Sequence, residues 1–265
     1  MIKAFLIRKL SVTSIRELRK VVEDVRAFGL GKNLERLGRI YGTDKSVVHY
    51  YTQHYQTHFK KFKFKKINLL EIGVGGYDKP HIGGNSLRMW RKYFPFGRIY
   101  SLDLYDKTTL KENRIKIFTG SQVDEAFLNK VTQEIGDIDI IIDDGSHMNE
   151  HVIESFKVLF PKLMEGGIYA IEDTQTSYWK DFGGDSENLD NPSTMMNYFK
   201  SLTDSLNNKE FIKPGYQQNY FDKTIVSMHF YHNLIFIYKG KNDEGSNLVL
   251  NNQFRKRIND KQYGI

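Results

Sequence analysis

Two stretches of this chain place acids where a strand should end: Ile140-Ile-Ile-Asp-Asp-Gly-Ser-His147 and Gly166-Gly-Ile-Tyr-Ala-Ile-Glu-Asp173. Each reads as a buried apolar strand closing on carboxylates, and open α/β sheets bind ligands at the carboxyl ends of their strands. The spacing from Asp144 to Glu172 fits one helix plus one strand, so both acids should emerge at the same edge. Asp144, Glu172 and Asp173 would then offer hard oxygen ligands suited to a divalent cation such as Mg²⁺. His147 lies three residues after Asp144 and is the usual side chain for taking a proton near neutral pH. Neighbouring strand residues point to opposite sides, which assigns Asp144 to the metal and Asp143 to a cofactor, with the reverse assignment also open. The competing readings are a structural histidine and a Glu172-Asp173 capping or salt-bridge pair.

A second constellation lies upstream. Leu69-Leu-Glu-Ile-Gly-Val-Gly-Gly76 is an apolar strand entering a glycine-rich turn, and a helix can start at Ser86. Gly73 and Gly75 would let backbone approach a ligand, and a helix start favours an anionic group. Glu71 ahead of the glycines is unusual for a dinucleotide site and usual for S-adenosylmethionine (SAM). Tyr100-Ser-Leu-Asp103 closes the next strand on an acid that can accept both ribose hydroxyls. Ser121 and Gln122, after the third strand, fall where an adenine edge would be read, although Ser and Gln in a turn are also ordinary turn chemistry. Tyr178 and Trp179 follow the acids and fit either a ring-stacking role or core packing.

Composition narrows the field. The 265 residues are 40% hydrophobic and contain no cysteine, which excludes disulfides, thiolate metal sites and a cysteine nucleophile. The opening Met1–Leu10 is too interrupted for a signal peptide, and no window is long enough to span a membrane, so a soluble cytoplasmic protein is expected. Of the net charge of +7, the clearest cluster is Lys60-Lys-Phe-Lys-Phe-Lys-Lys66. No nucleic-acid module accompanies it, so it reads as a solvated linker.

The elements that must position these residues follow from periodicity. Residues 11–40 predict an amphipathic helical arm, capped at Ser11 or Ser14, with Ile15, Leu18, Val21, Val22 and Val25 covering the core or a partner subunit. An aromatic helix over 47–62 is a second expected contact surface. Strands are predicted near 67–72, 99–103, 115–118, 138–143 and 167–171, alternating with helices near 86–94, 124–135 and 149–163. The runs 224–231 and 234–238, split by His232-Asn233, predict an antiparallel hairpin. Residues 174–222 read as a long loop with a short helix, and the polar tail from Lys241 as loosely held. The expected organisation is an arm over 1–40, an α/β domain over 41–240 and a tail over 241–265.

A doubly wound Rossmann-like sheet with helices before it and an antiparallel hairpin after it is the class I methyltransferase layout. From about Leu37 to Gly184 the chain resembles the metal-dependent sugar O-methyltransferases of macrolide biosynthesis, and more distantly the cephalosporin-hydroxylase-like proteins. The motifs that carry the likeness are Tyr41-Gly-Thr-Asp-Lys45, His49-x-Tyr51-Thr, Leu70-Glu-Ile-Gly-Val-Gly-Gly-Tyr77, Ser86-Leu-Arg-Met-Trp90, Gly120-Ser-Gln122, Ile142-Asp-Asp-Gly-Ser-His147, Ile171-Glu-Asp173 and Tyr178-Trp179. The resemblance implies SAM as methyl donor, Mg²⁺ on Asp144, Glu172 and Asp173, and His147 as base. Larger members carry a further N-terminal domain that this chain is expected to lack, so their oligomer interface and macrolide-contacting surface are not expected to transfer. The expected activity is methylation of a sugar hydroxyl on a glycoside, nucleotide sugar or glycan, with a homo-oligomer as a further expectation. The alternatives are an oxidative hydroxylase and a non-catalytic partner of nucleic acid or membrane.

Overall fold

The computed structural model describes residues 12–29 and 33–255. The chain divides at Ser121/Gln122 into two compact units. In the first, strands β1 (Asn68–Ile72), β2 (Arg98–Asp103) and β3 (Ile115–Thr119) run parallel in the order β3-β2-β1. In the second, β4 (Ile138–Asp143) and β5 (Leu163–Glu172) are parallel, and the hairpin β6 (Ile225–Tyr231) and β7 (Leu234–Lys239) joins antiparallel in the order β4-β5-β7-β6. Nearly all of Ile138–Asp143 and Leu234–Ile237 is buried, as strands covered on both faces must be, which explains their unbroken apolar runs. The hairpin turns at Asn233 in left-handed backbone, the conformation that Asn tolerates best.

The N-terminal arm is helical, and its apolar face does not cover the core. It forms two helices, α1 (Val12–Arg26) and α2 (Leu34–Tyr41), separated by a turn at Gly29. Ser14 lies inside α1, and Ser11 falls outside the described residues. The face of α1 that packs is its polar one. Arg91 bridges Asp24 (3.0 Å) and Glu112 (2.7 Å), Lys20 reaches Glu112 (3.0 Å), and the Tyr41 hydroxyl donates to Asp24 (2.7 Å). Ile15, Leu18, Val21, Val22 and Val25 face solvent instead of covering the core, with Leu18 55% and Val25 68% exposed. Periodicity identifies an amphipathic helix but not which face docks; here the ion pairs decide.

The aromatic segment is also corrected. It breaks into α3 (Asp44–Val47) and α4 (Thr52–Phe59), with Tyr50 in left-handed backbone between them. Tyr51, Tyr55 and Phe59 are core residues, not a contact surface. Tyr55 and Phe59 pack edge-on against Trp90 of α5 (Asn85–Tyr93), at ring separations of 5.1 and 5.7 Å. The basic run is less solvated than a linker: Lys61 and Lys65 lie over the Phe62 ring and Lys63 over Tyr93, and Phe62 and Lys63 are buried.

The second unit adds α6 (Glu125–Ile135) and α7 (Asn149–Leu159), each close to its predicted span. Residues 174–222 hold more structure than expected: 3₁₀ turns, α8 (Met195–Ser201), α9 (Thr203–Leu206) and α10 (Tyr220–Thr224). The tail forms a small hairpin, β8 (Val249–Leu250) with β9 (Gln253–Phe254), before the described residues end.

Candidate active site

Strands β4 and β5 are paired so that Asp143 lies opposite Ile171, one residue before Glu172 closes β5. The acids that follow therefore leave the sheet side by side. Asp144, His147 and Asp173 each present a ligand atom within 4.8 Å of the others, and an oxygen of Glu172 lies within the same distance of Asp144. The His147 Nε2 atom is 3.5 Å from Asp173 Oδ2 and 4.0 Å from Asp144 Oδ1. His147 and Asp173 both occupy left-handed backbone, at φ 57° and 53°. Strain of this kind costs about 1–3 kcal/mol per residue and concentrates at functional sites. Three carboxylates offer the oxygen donors a hard divalent cation takes, with an imidazole beside them, so the residues present fit Mg²⁺. The histidine Nδ1 is buried without a hydrogen-bond partner.

Asp143, expected toward the cofactor, is 1% exposed and sits in a polar network. It accepts from the hydroxyls of Ser155 (2.5 Å) and Tyr169 (3.3 Å) and from Gln122 Nε2 (3.4 Å). Burial pushes its carboxyl up to about 6, against the lowering effect of the Ser155 hydroxyl, His147 and the Tyr169 hydroxyl. Gln122 turns its carbonyl oxygen to the Ser146 N–H at 2.8 Å, so the side chain expected to read an adenine edge also fixes the loop that carries Asp144 and His147. Ser146 in turn meets His151 Nδ1 at 2.9 Å.

In the first unit, Gly73 and Gly75 have φ 93° and 80° in the turn after β1. Gly83 is where a side chain would not fit: a Cβ there would fall 2.3 Å from the Gly75 carbonyl oxygen, because two passes of the loop lie against each other. Asp103 closes β2 and accepts from the backbone N–H of Val74 and of Tyr105, both at 2.9 Å, which locks the glycine turn to the strand end. Glu71 is fully buried and receives the Ser86 hydroxyl (3.0 Å), the Trp90 indole N–H (3.1 Å) and the Lys45 ammonium (3.3 Å). The structure thus joins Glu71 with Ser86 and places Asp103 against the turn that holds Gly73 and Gly75. Ser121 ends this unit.

Sequence reasoning missed several supporting side chains. Lys45 belongs to a quoted motif, but nothing in the sequence shows that it neutralises a buried glutamate. Lys107 is fully buried and donates to the carbonyls of Lys79 (2.7 Å) and Ile82 (3.1 Å), pinning the loop after the glycines. Ser155, Tyr169 and Asn149 carry no signal beyond their helix or strand.

Parallel strands ending in a glycine turn and in acids, closed by an antiparallel hairpin, define a class I methyltransferase fold. No family model matches the chain. Among curated proteins it is 44% identical over 215 residues to mycinamicin VI 2''-O-methyltransferase of Micromonospora griseorubida, a match covering 80% of this chain and 54% of that protein. Demethylmacrocin O-methyltransferase of Streptomyces fradiae is 46% identical over 199 residues, covering 75% and 50%. A tetracenomycin-C rhamnosyl 2'-O-methyltransferase of Streptomyces olivaceus is 41% identical over 225 residues, covering 83% and 59%. The solved mycinamycin-pathway methyltransferase MycE, in complex with Mg and S-adenosylhomocysteine (SAH), superposes with a TM-score of 0.78 at 44% identity, over 80% of this chain and 55% of that one. The chain is therefore related to sugar O-methyltransferases, and it spans about half the length of the curated relatives it matches.

Proposed function

We propose that this protein transfers a methyl group from SAM to a hydroxyl of a sugar, with Mg²⁺ held by Asp144, Glu172 and Asp173. The observation that carries the reading is the cluster of Asp144, His147 and Asp173, with Glu172 in reach of Asp144, at the ends of β4 and β5. Relatives named as sugar O-methyltransferases at 40% identity or more support it. Gly73, Gly75, Ser121, Gln122 and Asp103 are the cofactor contacts in this reading, with Asp103 directed to the ribose. Glu71, Ser86 and Asp143 serve the same sites through the buried networks they hold.

In the reaction, the acceptor oxygen bonds to the methyl carbon as the carbon–sulfur bond breaks, and sulfur keeps the electron pair to leave as SAH. When bound, the cation supplies Lewis-acid polarisation that lowers the pKa of the reacting hydroxyl. His147 takes the hydroxyl proton, and the flanking carboxylates stabilise the imidazolium that results. No covalent enzyme intermediate is required, because the work of this site is orientation and charge stabilisation. The acceptor is a sugar or glycan, with no role for nucleic acid, and the reaction belongs in the cytoplasm, where SAM is made. No helix among the described residues is long and apolar enough to cross a membrane. The exposed apolar face of α1 supports self-association as a homo-oligomer.

A panel of deoxyhexosides and nucleotide sugars incubated with methyl-labelled SAM tests the proposal. Label should enter the sugar with Mg²⁺ present and not in excess chelator. Equal transfer in chelator contradicts the metal role.

A further inference from the structure

Two members of the acidic cluster depend on backbone that their residue types rarely adopt, His147 at φ 57° and Asp173 at φ 53°. One hydroxyl touches both. Thr176 Oγ1 lies 2.8 Å from the carbonyl oxygen of His147 and 3.1 Å from that of Asp173, and the Thr176 backbone N–H also donates to Asp173 O, at 3.2 Å. The side chain is 2% exposed, so water cannot readily replace these bonds. Thr176 is itself held from behind: Asn149, 1% exposed at the start of α7, donates to the Thr176 carbonyl (3.0 Å) and the Phe182 carbonyl (2.8 Å) and accepts from Met195 N–H (2.7 Å).

We infer that Thr176 is a positioning residue for the metal cluster: its hydroxyl, braced by Asn149, fixes the two left-handed residues so that the His147 ring and the Asp173 carboxylate converge. A hydroxyl has a single proton, so the two carbonyls share it, and its removal leaves both turns without their common donor. This inference rests on the metal reading above. A threonine that only closed a 3₁₀ turn would matter for folding and not for ligand affinity.

Mn²⁺ serves as a paramagnetic stand-in for Mg²⁺. Its binding to the full chain is measured by electron paramagnetic resonance for the wild type, Thr176→Val and Thr176→Ser, with a thermal melt of each. Thr176→Val, which keeps the shape and loses the donor, should weaken Mn²⁺ binding by about 10–100-fold, the range for residues that orient metal ligands. Thr176→Ser, which restores the hydroxyl, should bind within about threefold of wild type on the same reasoning. If the valine variant does not fold, Thr176→Cys takes its place with the same expected weakening, since a thiol is a poor donor. Wild-type affinity in the variant lacking the hydroxyl would overturn the inference, as would a serine variant as weak as valine. A wild type that binds no Mn²⁺ would overturn the metal reading itself, a distinct result.

Discussion

Asp144 is the residue on which the cluster turns, since its oxygens lie in reach of His147 and Asp173 as well as of Glu172. Replacing it should remove metal-dependent turnover while SAH binding stays near wild type, because the expected cofactor contacts are other side chains. A parallel loss of SAH affinity in Asp144→Ala, read by calorimetry, would contradict that separation. His147→Ala should lower kcat by about 10²–10⁴-fold with Mn²⁺ affinity reduced far less, the pattern of a lost general base. Wild-type turnover across pH in that variant would remove His147 from the chemistry. The acids and the histidine were legible in the sequence because strand ends are marked by a change from apolar to polar residues at a fixed place. Thr176, Lys45 and the partners of Asp143 were not, since their roles come from contacts with residues distant in the chain.

At the scale of elements, the loop after the glycine turn is pinned by one buried side chain. The buried Lys107 ammonium holds the 79–82 loop through two carbonyls, and burial lowers its pKa while Asp103 and Asp78 oppose that effect. Lys107→Met keeps the length and removes the donors, leaving both carbonyls unpaired. A loss of about 1–3 kcal/mol in urea unfolding is expected from one or two such groups. An unchanged midpoint would show that the loop is held by other contacts. Strands β1 to β5 lay close to their predicted spans, because buried parallel strands are continuous apolar runs that few other elements imitate, and the hairpin β6–β7 was marked by its turn residues. Which face of the arm packs, and that the aromatic segment is core, were not legible for the opposite reason. A three-and-four spacing of apolar residues is the same whether that face meets the core or the solvent, and only the ion pairs of Asp24, Glu112, Lys20 and Arg91 show that the polar face docks.

For the whole molecule, the consequence of that inversion is an apolar stripe on α1 left facing water. Size-exclusion chromatography with light scattering should find the wild type as an oligomer and the double variant Leu18→Glu, Val25→Glu as a smaller species with unchanged circular dichroism. A monomeric wild type would contradict self-association through α1 and leave the site chemistry untouched. The central claim is that the protein uses SAM, with Asp103 among its cofactor contacts. Its most direct test is calorimetric titration with SAH, with NAD as control and Asp103→Ala beside the wild type. Saturable binding of SAH alone, lost or strongly weakened in the variant, is the predicted result. A folded wild type that takes up no SAH would contradict the account.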